Sequence, residues 1–210
     1  SSKNKSRGFT LIELLVVISI IGLISSVVMV SIGSSRQRAR VSKSLEFSQS
    51  VYNALGFEAV GVWDFDEGSG TTARDGSGFG NNGTINGATY YCIDTPHHVV
   101  GQGSGKCALS FDGASAEVSI GSTKELSVNT DLTISAWVNT RGSAIHQTIA
   151  SHNWGWNWNF YINASPNLKL RFAGRTGGGS ESIFGWGTTL AINRWYHVVA
   201  AYDSSDFSVR

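Results

Sequence analysis

Asp64, Asp66 and Glu67 form the one acidic cluster in this chain of 210 residues. Glycoside hydrolysis would need two carboxylates of this kind flanking a scissile bond. Asp64 and Asp66 alternate with Trp63 and Phe65 and can share a strand face, whereas Glu67-Gly68-Ser69-Gly70 reads as a turn. Just downstream, Asp75, Asn81 and Asn82, with Ser77 and backbone carbonyls, offer the hard oxygen ligands that calcium prefers. The same residue types are ordinary turn formers that bond their own backbone. Calcium is therefore a candidate cofactor, and no other cofactor is suggested. His97-His98 adjoins only Asp94 and reads as a solvated loop. Gly101-Gln102-Gly103-Ser104-Gly105-Lys106 lacks the hydroxyl residue, spacing and helix of a phosphate loop. Glu13 is a different kind of signal, being the sole charge in the 24 positions from Phe9 to Ile32.

The elements that must carry these groups fall into two modules. As a helix at about 1.5 Å per residue, 9–32 would span roughly 36 Å, enough to cross a bilayer core of about 30 Å. A carboxylate in such a segment is costly and calls for a cationic partner, unless it only snorkels to the headgroups. Val41, Leu45, Ser48, Tyr52 and Leu55 continue a helical stripe, and Gly56 suits its stop. The spacing thus predicts one long helix over 9–56, transmembrane over 9–32 and amphipathic beyond. Basic residues flank the apolar run at both ends, so charge alone does not orient it.

Beyond residue 56 the chain changes character, with 21 of its 25 glycines in 61–210. Short runs rich in Val, Ile, Trp, Tyr and Phe alternate with Gly, Asn, Ser and Asp clusters, which predicts an antiparallel all-β sandwich. Strands are expected at 62–65, 116–120, 132–138, 147–151, 156–162, 168–172, 183–186 and 195–202. Around Trp158 the alternation puts Trp154, Trp156, Trp158, Phe160 and Ile162 on one face and Asn157, Asn159 and Asn163 on the other. Trp158, Phe160 and Ile162 are assigned to a core. Trp154, Trp156 and Trp186 are the candidate ligand-stacking residues.

Charge divides along the same boundary. Residues 1–45 hold seven basic residues against Glu13, a net +6; the remainder holds nine against fourteen acids, a net −5. The overall +1 leaves no concentrated basic surface across the β-module, and no nucleic-acid partner is expected. With 41 % apolar and 15 % charged residues, disorder is excluded as well. Two cysteines are too few for a disulfide-dense scaffold or a four-thiolate zinc site. The chain starts at Ser1 without methionine and ends at Arg210 within a strand-like run, so it is expected to be a fragment with an incomplete β-domain.

Lys5-Ser6-Arg7-Gly8-Phe9-Thr10-Leu11-Ile12-Glu13-Leu14-Leu15 resembles the processing site of type IV pilins and type II secretion pseudopilins. The resemblance implies a leader over 1–8, cleavage between Gly8 and Phe9 by a prepilin peptidase, and methylation of the new Phe9 amine. It also implies that Glu13 pairs with the Phe9 amine of a neighbouring subunit during filament assembly. An ordinary secretory signal fits less well, because its apolar region is shorter and ends at a small-residue site. The implied localisation is a single-pass membrane protein with the β-domain extracytoplasmic, or a surface filament once assembled. In that compartment disulfides persist, and Cys92 and Cys107 are expected to pair.

The blocks Trp63-Asp64-Phe65-Asp66-Glu67-Gly68-Ser69-Gly70, Asp75-Gly76-Ser77-Gly78, Ala108-Leu109-Ser110-Phe111-Asp112-Gly113, Leu132-Thr133-Ile134-Ser135-Ala136-Trp137-Val138 and Arg194-Trp195-Tyr196-His197-Val198-Val199-Ala200 resemble laminin-G-like, concanavalin A-like jelly rolls. The fold class expected is a long N-terminal α-helix followed by an all-β antiparallel jelly-roll sandwich over 57–210. This fold hosts sugar binding, protein binding, calcium sites and glycoside hydrolysis, so it does not name a function by itself. The paired-acid strand motif of the family's glucanases is not found, and a binding protein rather than an enzyme is expected. The leading expectation is a pilin-like subunit displaying a lectin-like domain toward glycans or surface proteins. The alternatives are a pseudopilin of a secretion or DNA-uptake machine whose β-domain makes only structural contacts, and a membrane-tethered glycoside hydrolase.

Overall fold

The computed structural model describes residues 9–92, 95, 106–121, 131–142, 145–152, 158–164, 166–175, 181–203 and 208–209. Side chains at 27–35, 37, 38, 41, 55, 175, 181–186, 203, 208 and 209 are not described. The chain divides into two compact units, Ser1–Lys43 and Ser44–Arg210.

A single helix, α1, runs from Leu11 to Leu55. Thr10 caps it. Its hydroxyl oxygen accepts from Glu13 N–H (3.3 Å), while Glu13 Oε2 accepts from Thr10 N–H (2.8 Å) and the Thr10 hydroxyl (2.7 Å). This is the reciprocal capping box of a Thr-x-x-Glu sequence. From Phe9 to Ser26 every residue is exposed, whichever side of the helix it lies on. Among the described residues no helix is both long and apolar enough to cross a membrane, and positions 27–32 of the apolar run fall where side chains are not described. The helix stops at Leu55 through a 3-10 turn, Gly56–Glu58. Gly56 serves there by close approach: a Cβ would lie 3.2 Å from the Tyr52 ring.

The second unit is all-β apart from the end of α1. Its strands are β1 (Thr72–Ala73), β2 (Gly83–Asn86), β3 (Thr89–Tyr91), β4 (Ala108–Ser110), β5 (Glu117–Ser119), β6 (Leu132–Asn139), β7 (Gln147–His152), β8 (Trp158–Ile162), β9 (Lys169–Arg175), β10 (Glu181–Thr189), β11 (Trp195–Asp203) and β12 (Ser208–Val209). They form antiparallel sheets in the orders β10-β9-β8-β7, β12-β11-β6, β1-β2-β5 and β3-β4. The first two sheets close over a common core. Phe160 and Phe172 from one side meet Val198 and Ala200 from the other, with Ile134, Ala136 and Val138 of β6 packed against them. Alternation along β8 sends Trp158 and Phe160 into that core and Ile162 into an adjoining cluster with Leu168 and Leu190.

Seven of the eight expected strands are present within a few residues. The exception is 62–65, which is irregular. Phe65 has a φ of 56°, a left-handed value that ends an extended run. Val62 is instead held between Asp75 and Gly76, whose N–H donates to Val62 O at 2.8 Å. The short strands β1, β2, β3 and β4 had no counterpart among the expected ones.

The last turns of α1 lie against the β6–β11 sheet, on the surface facing away from the core. Ser48 is 5 % exposed there and accepts a hydrogen bond from Trp137 Nε1 at 3.4 Å. Phe47 meets His197 edge-on with ring centroids 5.5 Å apart, Trp137 lies 5.3 Å from the same imidazole, and Ser135 Oγ is hydrogen-bonded to His197 Nε2 at 2.7 Å. A small residue at 48 lets the helix backbone approach the sheet.

Phe160 is 2 % exposed at the centre of the sandwich. Phe160→Ala is expected to destabilise the β-domain by about 3–5 kcal/mol. Thr133→Ala, at an exposed position of β6, should stay within about 0.5 kcal/mol of the parent in the same denaturant titration.

Candidate functional site

Three groups of candidate residues are separated in the structure. At the N-terminus, the capping box gathers Glu13 onto the first helical turn, and Phe9 stands two residues before the helix start with 82 % exposure. Gly8 lies outside the described residues. Thr10 is a residue the sequence reading overlooked, although the Thr-x-x-Glu spacing carried the signal.

The second group is the Asp75–Asn82 loop. Asp75 Oδ1 accepts from the N–H groups of Val62 (2.9 Å) and Ser77 (2.8 Å), and Oδ2 from the Ser77 hydroxyl (2.7 Å) and Asn81 N–H (2.9 Å). Asn82 Oδ1 accepts from Asp75 N–H at 2.8 Å. Asn81, 4 % exposed, donates through its amide to Val60 O at 2.7 Å, and its own carbonyl accepts from Trp63 Nε1 at 2.8 Å. Both Asp75 carboxylate oxygens and Asn82 Oδ1, among the oxygens proposed as calcium ligands, are thus engaged as acceptors, and Asp75 and Asn81 together clamp segment 60–63. Among the described residues, no three His, Cys, Asp or Glu side chains gather to hold a metal ion. Gly61 belongs to the same arrangement, since a Cβ would come within 2.1 Å of the Trp63 ring.

Burial pushes the Asp75 carboxyl up, but the bonds from Val62, Ser77 and Asn81 outweigh it and bring it down to about 2.

Beside this loop lies a cleft of about 450 Å³ lined by Asp64, Asp66, Glu67, Arg74, Asp75 and Gly76. Its carboxylates have structural partners. Asp66 pairs with the Lys106 ammonium and accepts from Cys107 N–H at 2.9 Å. Glu67 accepts from Arg74 N–H at 2.7 Å and from the Tyr90 hydroxyl at 3.2 Å. Burial, followed by the Glu67 charge and this hydrogen bond, raises the Tyr90 phenol, so Tyr90 remains a donor. Cys92 and Cys107 form a disulfide, with Cys107 directly behind the Asp66 contact. In the loop-entropy picture a closure of this length contributes about 3 kcal/mol.

The third group lies on the face of the β7–β10 sheet that points away from the core, where Tyr161 is nonetheless only 3 % exposed. The register aligns Trp186, Arg171, Tyr161 and Thr148 across the four strands. Exposed His146 stacks on Tyr161 with centroids 5.0 Å apart and planes 17° apart. Trp186 is placed by its backbone alone; Trp154, Trp156 and His97-His98 lie outside the described residues.

Replacing Asp75 tests the clamp. Asp75→Asn cannot accept all four bonds and is expected to cost about 1–2 kcal/mol at pH 7. A carboxyl lowered from 3.8 to about 2 in the folded state contributes stability above pH 3.8 that is lost as pH falls through about 2. The stability gap between parent and variant should therefore be flat from neutral pH to about 4 and close toward pH 2. A gap that persists undiminished at pH 2 would contradict this role.

Comparison with known proteins adds two matches. The prokaryotic N-terminal methylation motif matches residues 3–29, which include the Gly8-Phe9 junction and Glu13. The concanavalin A-like lectin/glucanases superfamily matches residues 111–209, from the loop before β5 to the end of β12. No curated protein and no solved structure matches the chain. The β2 strand, which precedes the matched region, hydrogen-bonds to β5 within it. The chain thus joins a prokaryotic N-terminal methylation motif, as carried by type IV pilins and pseudopilins, to a domain of the concanavalin A-like lectin fold.

Proposed function

We propose that the protein is a pilin-like or pseudopilin-like filament subunit that displays its lectin-like domain for adhesion to carbohydrate or to a surface protein. One observation carries this reading. The start of α1 is apolar and exposed around its whole circumference, with Leu11 at 81 %, Ile12 at 69 % and Leu23 at 69 %. A helix apolar on every side needs a covering other than water. Lipid provides it before assembly, with residues 9–32 spanning the membrane and 1–8 as the leader. Neighbouring copies of the same helix provide it afterwards.

Glu13 fits the same sequence of events. Its carboxylate is held by Thr10, so the subunit carries it through the membrane with its hydrogen bonds partly made. Cleavage after Gly8 by a prepilin peptidase creates an amine at Phe9, and a neighbouring subunit's amine is the cation that Glu13 lacks. The display half of the proposal is supported by the packing of the second unit. With Phe47 and Ser48 against the outer face of the β6–β11 sheet, the face of the β7–β10 sheet that points away from the core is the sandwich's other side. Exposed His146 lies there, stacked on Tyr161, which is itself buried at 3 % exposure, so among the described residues the imidazole is the ring offered for stacking with a sugar. We take the β-domain to begin at residue 57.

Mass spectrometry of the protein recovered from its native membrane should show a chain beginning at N-methylated Phe9. Glu13→Ala should leave that chain anchored and reduce its incorporation into filaments at least tenfold. A chain that retains Ser1 would reject the assembly role. For display, a glycan array probed with the full chain in calcium-containing buffer should give binding that His146→Ala weakens; a blank array would leave only a structural role for the β-domain.

A further inference from the structure

We propose that Arg36, Arg40 and Lys43 form a collar that holds anionic phospholipid headgroups where α1 leaves the membrane. This rests on the membrane reading above and adds to it a preference among lipids. Four of the eight residues from 36 to 43 are basic and none is acidic. Within α1, Arg36, Arg40 and Lys43 stand at i, i+4 and i+7, which aligns them on one side of the helix. All three are exposed and, among the described residues, none has an ion-pair or hydrogen-bond partner.

Two arguments make this a binding surface rather than a solvated stripe. Like charges one turn apart repel and weaken a helix, so a run of cations at this spacing is tolerated best where anions lie between them. Depth supplies the second. At about 1.5 Å per residue, Arg36 stands roughly 6 Å beyond Ile32, Arg40 roughly 12 Å and Lys43 roughly 16 Å. With a headgroup layer of about 5–7 Å on each side, the first position lies in that layer, and the other two stand just beyond it, within reach of its surface potential.

The side of the membrane sharpens the choice of partner. In the proposed orientation Lys3, Lys5 and Arg7 stay on the cytoplasmic side, while four cations cross with the β-domain, against the usual bias of charge. Headgroup phosphates on the far side offset that bias at the collar. Removal of the leader then leaves the collar as the basic cluster beside the apolar run. A bound layer of lipid phosphate would keep α1 seated at one depth until assembly withdraws it.

The test offers the full chain, diluted from detergent, an equal mixture of phosphatidylcholine vesicles and phosphatidylcholine–phosphatidylglycerol vesicles carrying different dyes. Flotation then separates the two populations. The parent should favour the anionic vesicles by at least about tenfold at low ionic strength, and added salt should erode that preference. The triple variant Arg36→Gln, Arg40→Gln, Lys43→Gln should lose about tenfold of it, whereas Arg36→Lys with Arg40→Lys should keep it. Because the leader is the same in each chain, its charges cancel in the comparison. Equal recovery of the parent in both vesicle types, or a triple variant that distributes like the parent, overturns the collar and leaves membrane insertion standing. Recovery in neither type overturns the membrane reading itself, and the collar falls with it.

Discussion

The interaction on which everything else depends is the covering of one apolar helix. From Phe9 to Ser26 every residue of the chain is exposed, on all sides of the helix. Burial of apolar surface contributes about 25 cal/mol per Å², so a helix of this kind drives association with lipid or with other helices strongly. The same drive would bring two such chains together in water without any register. In the proposed filament a single carboxylate near one end would supply register, because an uncompensated charge among apolar helices is tolerated only opposite a cation. Thr10 holds that carboxylate at a defined place on the first turn.

The β-domain has to fold without help from that helix, and its construction meets the requirement. Its core closes between two sheets through Phe160, Phe172, Val198 and Ala200, all contributed by its own strands. The end of α1 makes a shallow contact through Ser48 and Phe47, with Phe47 still 54 % exposed. Such a contact orients the helix end and adds little to the core. The firmer attachment lies in the connecting segment, where Asp75 and Asn81 grip Val60 and Val62 by backbone hydrogen bonds.

How much of this was legible depends on the kind of signal each part carries. The apolar run and the alternation of Trp158, Phe160 and Ile162 are periodic over many residues, and periodicity of that length survives any tertiary context. The strands β1 to β4 are only two to four residues long, too short for alternation to emerge. The segment 62–65 has the composition of a strand, yet its backbone groups bond to the Asp75 loop and Phe65 turns left-handed. Composition cannot distinguish these outcomes, because both satisfy the backbone. Asp75, Asn81 and Asn82 pose the same difficulty. Their oxygens suit a cation or a set of N–H donors equally, and only the arrangement of the surrounding backbone decides which. Glu13 was readable for its charge, while its bond to Thr10 was overlooked because a capping residue sits outside the apolar pattern.

The near-neutral total of the chain hides two electrostatic systems that respond to different variables. The Asp75 clamp works through four short hydrogen bonds, keeps its carboxylate ionised down to about pH 2, and depends on geometry at contact distance. Dissolved salt has little purchase on bonds of that length. The cations at 36, 40 and 43 are exposed and act on charges several ångströms away, within the range that ionic strength screens. On the proposed reading, raising salt would loosen the hold of α1 on an anionic surface without disturbing the Asp75 clamp. A subunit that left a membrane while keeping its displayed domain folded, as proposed, would need this separation, with a weak, screened contact on the lipid side and a short-range, saturated one on the protein side.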